Sequence, residues 1–239
     1  MLDIIKYIKT FFNTKDNIKI DVKDEKPLQL YEQGHEGSAI DYTIVKDPII
    51  VDNGKLYNFI IVDDEPMVKM LLNLVFDDMA KEKNFNVNDY FNVIWCIDTE
   101  ESSYMADKLI NYITNNETYY KINNRPIKKI DVALLDLTIE YRIRLGNGQV
   151  YSLDGIDIYS KLLKHNPDIK VRFFTAHTIG KNPESNIKSE MMTSDKYIVK
   201  YKNLTGLDLI DVSIPKLHAE DAPDSIIKLL KSFLDTVCD

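Results

Sequence analysis

The chain has 239 residues, 44% of them hydrophobic, and a formal net charge of -8. That length and apolar content allow one α/β domain with an appendage, or two small domains, and the acidic balance argues against a general nucleic-acid footprint. Two cysteines, Cys96 and Cys238, can build neither a disulfide framework nor a cysteine-rich zinc site, so a cytoplasmic protein is the simplest expectation. Residues 1–56 read as an N-terminal extension. Met1–Phe12 has the spacing of a short amphipathic helix, with Ile4, Ile5 and Ile8 on one face. Asp3, Lys6 and Lys9 interrupt it, and it is too short to span a membrane. Ile18–Val22, Tyr42–Val45 and Ile49–Val51 are strand-like, and Asp52-Asn53-Gly54 is a turn signal.

From residue 57 to 239 apolar runs and helical patterns alternate. Asn58–Val62 reads as a first strand. Glu65–Met79 reads as a helix, with Pro66 in its first turn and a stripe of Val68, Leu71, Leu72, Val75, Phe76 and Met79. Phe91–Ile97 is the second strand. Thr99–Asn115 is the next helix, with Asp98 as N-cap and Glu101 at capping-box spacing. Residues 116–128 form a polar insertion before the third strand, Ile130–Leu135, whose continuous apolar run implies burial on both faces. A second insertion, 137–153, has a hairpin signature around Gly146-Asn147-Gly148. Gly155–His165 is helical and is followed by Pro167. Ile169–Phe174 is the fourth strand, Asn182–Met192 a polar helix, Lys196–Val199 the fifth strand, and Pro223–Val237 the last helix. This order predicts a doubly wound five-stranded parallel sheet with helices on both faces.

In such a sheet, ligands gather outside the carboxyl ends of the strands. Asp63-Asp64, Asp136, Thr175 and Lys200 each follow an apolar run. If those runs are neighbours, three carboxylates, a hydroxyl and an ammonium converge. Like charges so close call for a cation, and an oxygen-only donor set favours a hard ion such as Mg2+.

The segments Ile60-Ile61-Val62-Asp63-Asp64-Glu65, Leu134-Leu135-Asp136-Leu137, Asp154-Gly155, Phe174-Thr175-Ala176 and Tyr197-Ile198-Val199-Lys200 occur in the order of the response regulator receiver domain family. The resemblance covers about residues 58–238. It implies a flavodoxin-like sheet of order 2-1-3-4-5 and Mg2+-dependent phosphorylation of Asp136. By that resemblance, Asp63, Asp64, Asp136 and the backbone carbonyl of Thr138 hold the metal, and Thr175 and Lys200 contact the phosphoryl group. Tyr197 resembles the family's aromatic switch residue. Tyr201 follows Lys200 where the family usually has Pro.

The resemblance implies a two-component or phosphorelay protein that takes its phosphoryl group from a histidine kinase or phosphotransfer protein. Its output would be contact with a downstream protein. The alternative is a pseudo-receiver that binds a partner independently of phosphorylation. An enzyme is not expected. Leu135-Asp136-Leu137-Thr138 is superficially similar to the haloacid-dehalogenase phosphohydrolase motif, but Thr138 stands where that family has a second Asp.

Overall fold

A computed structural model describes residues 45–83, 85–139, 143–144, 150–151, 153–175, 188–216 and 222–238. The chain divides into two compact units, Met1–Ser38 with Arg144–Gln149, and Ala39–Ile143 with Val150–Asp239. The described residues belong almost wholly to the second. The helix expected over Met1–Phe12, the strand over Ile18–Val22 and most of Tyr42–Val45 lie outside them.

Strands β1 (Ile49–Val51), β2 (Tyr57–Asp63), β3 (Phe91–Ile97), β6 (Val132–Leu135), β9 (Lys170–Thr175) and β10 (Ser213–Pro215) form one sheet in the order β1-β3-β2-β6-β9-β10. All neighbours are parallel except β1, which pairs antiparallel with β3. The expected five-stranded, wholly parallel sheet of order 2-1-3-4-5 is therefore corrected to a six-stranded, mostly parallel one, whose order differs by the antiparallel β1 beside β3. The added strand comes from residues counted with the extension on sequence.

Each central strand is apolar on both sides because helices cover both faces. Phe59, Ile61, Val132 and Leu134 face one core, shared with α1 (Pro66–Lys83) and α6 (Ala222–Cys238). Ile60, Val62, Ala133 and Leu135 face the other, shared with α3 (Ser102–Thr114), α4 (Gly155–His165) and α5 (Lys188–Thr205). A short helix, α2 (Val87–Tyr90), leads into β3.

Residues 116–128 contain a small hairpin, β4 (Lys121–Ile122) against β5 (Arg125–Pro126). Asn123 and Asn124 occupy its turn at φ 51 and 59°, the left-handed region that asparagine tolerates in hairpin turns. Ile143–Arg144 (β7) and Val150–Tyr151 (β8) are strands where the sequence predicts a hairpin; its tip lies outside the described residues. Helix α3 starts at Ser102, later than expected. Asp98 does not cap it, and its Oδ1 instead accepts the backbone N–H groups of Glu100 and Glu101 at 3.0 and 3.2 Å.

The largest departure concerns Lys196–Val199. The sequence predicts the fifth strand there, but these residues lie inside helix α5. Tyr197 and Tyr201 are buried one turn apart, and Leu204 packs on the same core, so the apolar period is helical. Tyr201 stacks on Tyr159 and meets Phe173 edge to face, with ring centroids at 6.0 and 5.6 Å. The fifth parallel strand is β10. It lies at the margin of the sheet, where Pro215 is tolerated because an edge position need not supply a ladder N–H.

Candidate functional site

The site is built by side-chain alternation along parallel strands. In β2 the residues 59, 61 and 63 share one face, and in β6 the series 132, 134 and then 136 shares the same face. The register pairs Ile61 with Leu134 and Val62 with Leu135, and the Asp136 N–H continues the ladder to the Val62 carbonyl at 2.8 Å. Asp63 and Asp136 are thus neighbours at the same sheet end. Asp64 follows in the β2–α1 turn, and one ligand oxygen from each of the three lies within 4.8 Å of the others.

The cation among them is Lys216. Its Nζ lies 2.7 Å from Asp63 Oδ2 and 2.8 Å from Asp136 Oδ2, and the residue is only 1% exposed. Its backbone N–H donates to the Thr175 carbonyl at 2.7 Å, so β9 sets where Lys216 enters. Thr175, also buried, ends β9 between β6 and β10. The other oxygens of Asp63 and Asp136 are used locally. Asp63 Oδ1 accepts the Glu65 N–H at 3.0 Å, and Asp136 Oδ1 accepts that of Thr138 at 3.3 Å.

Electrostatics follow from this crowding. Burial pushes the Asp63 carboxyl up to about 8; the Asp136 charge adds to that, and Lys216 opposes it. Burial also raises Asp136, with the Asp64 charge adding and Lys216 opposing. For Lys216, burial pulls downward, but the Asp136 and Asp63 carboxylates outweigh it and hold the ammonium above the usual lysine range. Among the described residues, the Lys216 ammonium is shared by Asp63 and Asp136, and Asp64 lies beside that pair. The donor set is all oxygen and preassembled, which fits a hard divalent cation.

Lys200 is placed elsewhere. It lies on α5 and pairs with Asp154 at 2.6 Å and Asp157 at 2.7 Å. Tyr197, one turn earlier on α5, is buried and lies beside Thr138. Three residues before Lys216 stands Ser213, whose hydroxyl donates to the Leu209 carbonyl at 2.7 Å. An aromatic switch placed by spacing from the site lysine therefore has no aromatic at that position.

Sequence reasoning also missed why Gly155 is needed. A Cβ built there would lie 2.0 Å from the Asp136 carbonyl oxygen. Helix α4 starts directly against the backbone of Asp136, and only hydrogen fits between them. Gly155→Ala should displace that backbone and lower stability by about 1–3 kcal/mol. Urea denaturation checks it; an unchanged midpoint would contradict the contact.

No family model matches this chain, and no curated protein matches it. No described helix is long and apolar enough to cross a membrane.

Proposed function

We propose that the chain is a receiver of a two-component or phosphorelay pathway, phosphorylated on Asp136 with the help of Mg2+. The observation that carries this reading is the buried Lys216 ammonium bridging Asp63 and Asp136, with Asp64 beside them. The five parallel strands taken without β1 run 2-1-3-4-5, the order of a flavodoxin-like receiver, and the site sits at their carboxyl ends as expected for such sheets.

An Asp136 carboxylate oxygen would attack phosphorus. The new P–O bond forms as the donor's phosphorus–nitrogen or phosphorus–oxygen bond breaks, and the bonding pair leaves with the donor. Asp63, Asp64, Asp136 and the Thr138 carbonyl are the residues that would hold Mg2+. When bound, the ion supplies charge neutralisation for phosphoryl transfer, which depends mainly on positioning and electrostatics. Lys216 keeps its charge at neutral pH, and it offsets the Asp136 carboxylate before transfer and the phosphoryl oxygens after it. Thr175 ends the neighbouring strand and is the hydroxyl assigned to those oxygens. The phosphoryl donor would be a histidine kinase or phosphotransfer protein, and the output contact with another protein.

The test is incubation with acetyl phosphate and Mg2+, read by intact mass and peptide mapping. A single phosphoryl adduct on Asp136, absent from Asp136→Asn, is expected. No adduct and no Mg2+ binding would overturn the reading. An Asp136→Asn variant that keeps full partner binding would favour a phosphorylation-independent binding module instead.

A further inference from the structure

Besides the Tyr201–Tyr159 stack, helix α5 meets helix α4 through one cation and two carboxylates, and the four oxygens are divided without overlap. Asp154 Oδ1 accepts the N–H groups of Ile156 and Asp157 at 3.0 and 2.9 Å, while its Oδ2 takes the Lys200 ammonium at 2.6 Å. Asp157 Oδ2 accepts the Asp154 N–H at 3.2 Å, and its Oδ1 takes the same ammonium at 2.7 Å. The capping box of α4 thus uses one oxygen of each carboxylate, and Lys200 uses the other. Two carboxylates held face to face repel, and Lys200 offsets that repulsion.

The residue between them in the chain carries the connection onward. Gly155 is where α4 touches the site, through the close approach to the Asp136 carbonyl and through its N–H, which donates to the Leu137 carbonyl at 3.3 Å. The segment Asp136–Thr138 is therefore backed by the first turn of α4, and that turn is tied to α5 by Lys200.

We propose that Lys200 is a positioning residue: by clamping Asp154 and Asp157 it holds Gly155 against the Asp136 carbonyl and sets the geometry of Asp136–Thr138 for cation binding. The cation-binding consequence rests on the function proposed above; the clamp itself does not. Linkage is reciprocal, so a cation at Asp63, Asp64 and Asp136 would in turn tighten α5 on α4.

The experiment uses the full chain and four variants: Lys200→Met, Lys200→Arg, Asp157→Asn, and the Lys200→Met/Asp157→Asn double variant. Amide hydrogen exchange is measured without metal, and Mg2+ affinity by calorimetric titration. In Lys200→Met, exchange should rise at Thr138, Ile156 and Asp157 while β3 and β6 stay protected. Mg2+ affinity should fall about tenfold, the size typical for residues that orient metal ligands from behind. Lys200→Arg should restore most of both, and the double variant should add little to Lys200→Met.

Unchanged exchange at Thr138 with unchanged Mg2+ affinity would overturn the proposal. So would a rise in exchange spread evenly over the sheet, which marks general destabilisation, or effects of the two single variants that simply add. If the unaltered protein binds no Mg2+, the proposed function falls, and exchange at Thr138 alone then decides the clamp.

Discussion

Lys216→Met should destabilise the protein by about 3–5 kcal/mol, because it leaves the buried Asp63–Asp136 pair, with at least one carboxylate charged, without its counter-charge. Methionine fills similar volume, so the loss is electrostatic. Asp63 and Asp136 each lose the ammonium now 2.7 and 2.8 Å away. The loss should shrink at low pH, where the carboxyls are protonated, and shrink again with Mg2+, which would replace the missing charge. Phosphoryl acceptance from acetyl phosphate should fall by at least about a hundredfold, since a charged group aimed at the reacting oxygens is typically worth that much. At saturating Mg2+, Lys200→Met should keep most of its acceptance, because Lys200 contacts Asp154 and Asp157 instead. Urea titrations at pH 6 and 8, with intact-mass assays of both variants, separate the two lysines. A Lys216→Met protein as stable and reactive as the unaltered one would remove this lysine from the site.

The second large effect is on stability against pH. Burial, aided by the Asp136 charge, pushes Asp63 up to about 8 from the ordinary 3.8, against the pull of Lys216. Between those values the folded chain holds a proton that the unfolded chain has released. Stability therefore falls as pH rises through that window, and the contribution present below about 4 is gone above about 8. Each pH unit is worth about 1.4 kcal/mol, so the two ends differ by on the order of 5 kcal/mol. Mg2+ competes with that proton. Its stabilising effect should be large at pH 8.5 and small at pH 6, and protons should be released on binding. Asp63→Asn should flatten the profile and abolish the Mg2+ effect. Denaturant midpoints at several pH values, with and without Mg2+, provide the check, and an Asp63→Asn protein with the original slope would refute the assignment.

The three carboxylates were legible in the sequence for a simple reason. Asp63 and Asp136 each end a continuous apolar run, and only strands buried on both faces read that way. The lysine was not. Tyr197-Ile198-Val199 has strand-forming residues, yet the buried positions are Tyr197 and Tyr201, and tertiary packing outweighs such local preference. The true strand has three residues and includes a serine and a proline, so it has neither length nor alternation to announce it. One signal was present: a strand ending at Val199 leaves more than twenty residues before the last helix, an unusually long structureless connection. Asp154-Gly155 was visible as a pair, but the reason for the glycine needs a through-space neighbour, the Asp136 carbonyl, which no local pattern encodes.

The two margins of the sheet have a consequence for how the protein behaves at high concentration. Among the described residues the sheet ends in β1 and β10, each three residues long, and β10 closes on a proline that has no N–H to offer. An incoming extended chain finds too few consecutive backbone groups on either side to template against, and a short or proline-blocked border is how natural sheets avoid edge-to-edge aggregation. Strand addition at the described margins of this sheet is thereby disfavoured.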